Sequence, residues 1–388
     1  MLNTSEPETC NPALPAVSSP AVQERLQHID ALRAIAALLV VCTHVSETFY
    51  SLSPQTESTR WLFDVSHGWD FGRIGVVAFF FISGFVIPFS ARPGLPRAGW
   101  DFAIKRLFRI FPAYWLSVPA GALACYWLWG KEFTATDFLV NLTLMQDLVG
   151  VQPAIGLYWT LLVELTFYAI CLVFLVTGNI RKYSRIAAFS GGLALVVLVW
   201  LIAYGRGRAL FSFNITLWLV HLSIMSMGTL FRAWYDGELE SRVARAGFYG
   251  LIAFYLVGFP VVSTFFAGLP WRHTVPYSIG ISLVLLGTTI LRIRNPVMTW
   301  LGQISYSIYL FHPIVFYPVL WLLYQLPVDS WWRTRHLIVY LGFNTAITIA
   351  IAAIVYTVVE KPSIQLGRRV AKAITRRSVS TRPVYEPD

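Results

Sequence analysis

Ten stretches of this chain are so long and so evenly apolar that only a membrane offers them a solvent. They fall at 29–50, 71–91, 107–129, 156–177, 186–204, 211–231, 247–267, 274–291, 303–325 and 336–359. A helix needs about 20 residues to cross about 30 Å of hydrocarbon, and each stretch is close to that length or above it. The runs do not alternate polar with apolar, so strand spans are excluded. Composition closes the other routes. Only 13% of the residues are charged, about half the share in soluble domains. Too few polar groups remain to cover a globular surface, a coiled coil or a disordered chain. The fold class is therefore an all-α integral membrane protein with about ten transmembrane helices. Residues 1–28 are polar and Pro-rich with no cleavable leader pattern, and read as a disordered cytoplasmic tail. Residues 29–359 form the membrane domain, and 360–388 a basic cytoplasmic tail. No internal repeat is visible, which weakens an inverted-repeat transporter reading. Cys10, Cys42, Cys125 and Cys171 follow no paired or metal-like spacing. Buried thiols are the default for the last three.

Orientation follows from lysine and arginine, which gather on the cytoplasmic side. With the N-terminus inside, 21 of the 30 fall in cytoplasmic segments and 8 in outer ones, while Arg33 lies within the first span. Both termini are then cytoplasmic, as an even number of spans requires. The net charge of +10 is mostly this signal, held near anionic lipid. Nucleic acid is not implied.

Ionisable groups at membrane depth are costly and mark function by default. The first span carries Asp30, Arg33, His44 and Glu47. Arg33 and His44 are eleven positions apart, about three helical turns, so they share one face about 16 Å apart along the axis. Glu164 sits in a segment with no basic neighbour. It lies about 10 Å below the outer edge of its span, and His44 about 8 Å below the same edge. A buried carboxylate needs a partner. By depth His44 is the nearest, while an Arg or a Tyr hydroxyl is the structural alternative. Ser83-Gly84 permits close approach of another backbone or a ligand. Arg106 and Arg109 are three apart and neighbours on one face. Two guanidinium groups so placed suit phosphates, though a positive-inside anchor has the same pattern. Pro313 frees a backbone carbonyl, which His312 or a Ser could satisfy. His28, His67, His221, His273 and His336 lie near span ends or loops and carry no signal, and no cluster has metal spacing.

Taken together the segments resemble the membrane acyltransferases called the acyltransferase 3 family. Its hallmarks match Arg33 and His44, Phe80 through Phe85, Arg106, Arg109 and Pro112, Trp159 through Tyr168, and Ser305 through Pro313, in the same order. The chain ends about 29 residues after its last span, as in members without an added esterase-like domain. The resemblance implies a bacterial inner-membrane protein that moves an acyl group, usually acetyl, from cytoplasmic acyl-CoA to a hydroxyl of an extracytoplasmic carbohydrate or glycolipid. Acyl-CoA is then a donor substrate, with no bound cofactor.

On this view Arg106 and Arg109 hold CoA phosphates, and Arg33 guides the pantetheine arm toward His44. Neutral His44 acts as general base and Glu164 orients it, as a carboxylate does in a triad. Ser83, Arg73 or His312 would supply an oxyanion or acceptor site. A transporter or flippase of a lipid-linked sugar or small solute is the alternative, because intramembrane Arg, His and Glu also suit a proton relay.

Overall fold

In lipid every backbone polar group must be satisfied within the protein, and a helix does this unaided. The computed structural model describes residues 20–380, and among these no strand occurs. Ten segments are long and apolar enough to cross a membrane, one for each stretch expected from the sequence. We number the spanning helices α1 (Pro20–Phe49), α2 (Phe71–Val86), α3 (Ala98–Cys125), α4 (Tyr158–Val176), α5 (Tyr183–Gly205), α6 (Phe213–Tyr235), α7 (Arg242–Phe266), α8 (Trp271–Leu291), α9 (Ser305–Tyr324) and α10 (Leu337–Val355). A final helix, α11 (Lys361–Ser380), follows α10 through one π-helical turn at Tyr356–Glu360.

Two boundaries differ from the sequence reading. Helix α1 begins at Pro20, so the later part of the expected disordered tail is helical; residues 1–19, with Cys10, lie outside the described residues. Of the basic C-terminal tail, Lys361–Ser380 is the helix α11, and residues 381–388 lie outside the described residues. Cys42, Cys125 and Cys171 are free thiols; only Cys171 is buried as expected, while Cys42 and Cys125 are partly exposed.

Helix α1 sits at the centre. Ala31, Ala34, Ala36 and Ala37 are fully buried, and side chains this small let neighbouring helices come close. Helices α2, α9 and α10 pack on it, together with the short helix Pro296–Gln303. Gly84 and Gly228 mark the crossing of α2 and α6. A Cβ on Gly84 would enter the backbone of Met225, and one on Gly228 the backbone of Phe81. Thr229 also donates to the Gly84 carbonyl at 3.1 Å. Ser83-Gly84 thus serves close backbone approach, with Ser83 itself left facing a cavity. A polar amphipathic helix, Glu57–Gly68, precedes α2 and packs on the end of α1. It is too polar for a span, and the hydropathy pattern does not reveal it.

Candidate functional site

Two cavities open toward opposite ends of the helical bundle. The first, about 130 Å³, is formed by the start of α1 and α3, the end of α2, the middle of α4 and the start of α9. It is lined by Arg33, Ser83, Arg106, Arg109, Glu164 and Tyr306, among others. Five of the residues singled out in the sequence therefore share one wall.

Their partners differ. Arg33 reaches Asp30 on its own helix, 3.9 Å away. Arg109 pairs with Glu360, which is 1% exposed. Glu360 accepts a second hydrogen bond from Ser307 at 2.7 Å, and the Arg109 guanidinium also lies over the Tyr306 ring. Glu360 was not anticipated. It is the last residue of the π-helical turn Tyr356–Glu360, which joins α10 to α11. Arg106 has no carboxylate among the described residues. It donates to the Ser90 hydroxyl, flanks the rings of Phe102 and Tyr168, and keeps its Nε buried without a partner. The charge available to an incoming anion is thus mainly that of Arg106.

Glu164 accepts a hydrogen bond from the Tyr168 hydroxyl at 2.6 Å, one turn along α4. Among the described residues it makes no hydrogen bond or ion pair with His44, so the pairing inferred from equal depth is absent. Depth along two helices leaves their azimuth open. Here Glu164 faces the first cavity and His44 the second. The Tyr hydroxyl, the structural alternative for Glu164, is the partner found.

The second cavity, about 470 Å³, lies where α1 ends. His44, Glu47, His67, Arg73, Trp159 and Tyr277 line part of it. His44 is about one-third exposed, with Nδ1 3.5 Å from a carboxylate oxygen of Glu47. Its ring stacks on that of His312 at 5.4 Å. His312 is fully buried and its Nδ1 donates to the Tyr309 carbonyl at 2.7 Å. That carbonyl is the one left free because Pro313 has no N–H to offer four residues on. His312 therefore repairs the helix and carries His44, and its Nε2 stays unpartnered. Arg73 is held by Asp70 at 2.7 Å and by the His273 carbonyl at 3.3 Å. It is a wall of this cavity already paired with a carboxylate. His67, His221 and His273 carried no signal in the sequence, yet all three line the second cavity. They are brought there by non-local packing.

The cavities meet at a thin wall. Val76 and Tyr309 line both. Tyr309 shares a hydrogen bond with Thr160 at 2.8 Å and packs edge-on against Phe79. The arrangement can hold an anionic group at one end and presents an imidazole at the other, with one aromatic side chain between.

Comparisons with known proteins place the chain among membrane acyltransferases. A family model described as an acyltransferase domain matches residues 26–359. Nodulation protein 10 of Rhizobium leguminosarum bv. viciae is 27% identical over 91% of this chain and 96% of its own length. The O-acetyl transferase of Shigella phage Sf6 is 25% identical, covering 73% of this chain and 82% of its own. The exopolysaccharide production protein ExoZ of Rhizobium meliloti is 29% identical, covering 63% and 77%. No solved structure matches the chain.

Proposed function

This chain belongs to the acyltransferase 3 family, matched over residues 26–359, and on that premise we propose that it moves an acyl group, most simply acetyl, from cytoplasmic acyl-CoA to a hydroxyl of an extracytoplasmic polysaccharide or glycolipid. It is an acyltransferase of the membrane, and donor, direction and acceptor are the proposed part. The observation that carries the reading is the pair of cavities abutting at Tyr309, one with arginines and one with His44. Two relatives whose names mention O-acetyl transfer and exopolysaccharide support the acceptor class.

In this scheme the CoA phosphates stay at the first cavity, where the free charge of Arg106 meets them. Arg33 and Glu164 line the way inward. The slender pantetheine arm carries the thioester past Tyr309, so the charged nucleotide never crosses. The acceptor occupies the second cavity, between the aromatic faces of Trp159 and Tyr277. Neutral His44 takes the acceptor's hydroxyl proton as that oxygen attacks the thioester carbon. The new carbon–oxygen bond forms, the carbon–sulfur bond breaks, and the proton passes from His44 to the leaving thiolate. General-base help of this kind gives about 10²–10⁴-fold.

The test is a deletion strain whose surface polysaccharide is read by mass spectrometry. Expression of the unmodified chain should restore the acyl groups. His44→Ala, at matched membrane protein level, should not. Full restoration by His44→Ala would end the proposed mechanism, and no restoration by the unmodified chain would end the acceptor assignment.

A further inference from the structure

We infer that Glu47, held by His67 and Arg272, is the positioning residue of the His44 base, in the place the depth argument gave to Glu164. The inference rests on the reading of His44 given above and extends it to three residues that no motif marks.

Arginine only donates. Arg272 Nη1 lies 3.4 Å from His67 Nε2, so that nitrogen is the acceptor. In neutral imidazole one nitrogen accepts and the other carries the proton. His67 Nδ1 therefore carries it, and it lies 3.2 Å from Glu47 Oε1. An ionised carboxylate only accepts, so the hydrogen bond runs from His67 to Glu47. The other oxygen, Oε2, stands 3.5 Å from His44 Nδ1. To meet a carboxylate, that nitrogen must carry hydrogen, which leaves His44 Nε2 with its lone pair. Arg272 and His67 thus hold the Glu47 carboxylate, and that carboxylate selects the His44 tautomer a general base needs.

The parts are held from different elements. Glu47 is three residues after His44, on the adjoining face of α1. His67 comes from the helix Glu57–Gly68, stacked on Phe63 at 5.1 Å. Arg272 comes from the turn Trp271–His273 at the head of α8. The 3.5 Å gap between Glu47 and His44 exceeds a normal hydrogen bond by about half an ångström. Catalytic hydrogen bonds often close only when substrate is bound.

Glu47 touches neither donor nor acceptor in this scheme, so its removal should slow the chemical step and spare donor binding. The assay uses inside-out membrane vesicles from the deletion strain, which carry the native glycan, supplied with radiolabelled acetyl-CoA. Glu47→Gln should lower kcat about 10²–10⁴-fold, as loss of an orienting carboxylate does, with KM for acetyl-CoA unchanged. Glu47→Asp should recover part of the loss. His67→Asn should cost about 2–10-fold, the factor one ordinary hydrogen bond carries. In His44→Ala, adding Glu47→Gln should cost nothing more, because residues acting as a unit are not additive. A Glu47 that merely braces the fold would lower the amount of folded protein and leave kcat per folded molecule intact, and that result overturns the inference. Unchanged kcat in Glu47→Gln beside an inactive His44→Ala also overturns it, while leaving His44 as base. Activity in His44→Ala overturns both readings.

Discussion

Arg106 and Arg109 occupy equivalent places in the sequence, three residues apart on one face of α3, yet the structure gives them different work. Arg109 neutralises Glu360, which is buried and also bound by Ser307. Arg106 meets only a hydroxyl and aromatic faces. Arg106→Ala should therefore raise KM for acyl-CoA about 10–100-fold, the worth of one charge-assisted contact, with folded protein unchanged. Arg106→Lys should recover only part, because Lys lacks the planar fork. Arg109→Ala should act through stability instead, since it strands a buried carboxylate at a cost of about 3–5 kcal/mol. Adding Glu360→Gln should restore much of the folded yield, read by size-exclusion chromatography in detergent. Equal KM effects from both arginines, with no loss of yield, would mean that the Glu360 pair opens to admit the donor. Residue type and spacing made these arginines legible as a basic pair. They could not show which one was spoken for, because its partner lies 251 positions away.

Among the elements, α9 shows how a helix defect is turned to use. Pro313 breaks the backbone ladder at Tyr309, and the imidazole of the preceding residue closes the gap. His312→Phe should leave that carbonyl unpaired in a buried site, at a cost of about 1–3 kcal/mol, and lower the Tm in detergent. Pro313→Ala restores a backbone donor, so His312→Phe with Pro313→Ala should melt close to the unmodified chain. An equally low Tm in the double variant would assign the loss to the missing stack with His44. The sequence was informative here because the missing proline N–H has an address, four residues back. All ten spans were legible for a related reason: lipid leaves apolar composition as a strong signal. The Glu57–Gly68 helix and the first turns of α1 were not, since polar surface helices share their composition with loops. Glu164 and His44 were placed at matching depths, but hydropathy carries no azimuth, and the two face different cavities.

For the molecule as a whole, ten spans return the chain to the side on which it began. From the bias of 21 basic residues against 8 we propose that this side is the cytoplasm. Reporter fusions after residues 150 and 330 should then read as external, and those after 98 and 375 as internal; an external reading at 375 would invert the assignment of both cavities. The wall between those cavities also decides where the transmembrane voltage falls. With water in both hollows, the potential would drop mainly across the wall they share, where Val76 and Tyr309 line both cavities and Tyr309 is hydrogen-bonded to Thr160. At 100 mV a unit charge moved across the membrane changes energy by about 2.3 kcal/mol, and nearly all of it would then be met within a single layer of side chains. If the proposed transfer is right, the layer that passes an acyl group is also the insulator there. A neutral thioester, the donor proposed above, would slip by Tyr309 without feeling the field, whereas a proton or the donor's phosphates would be driven by it, and the same aromatic side chain would have to refuse them.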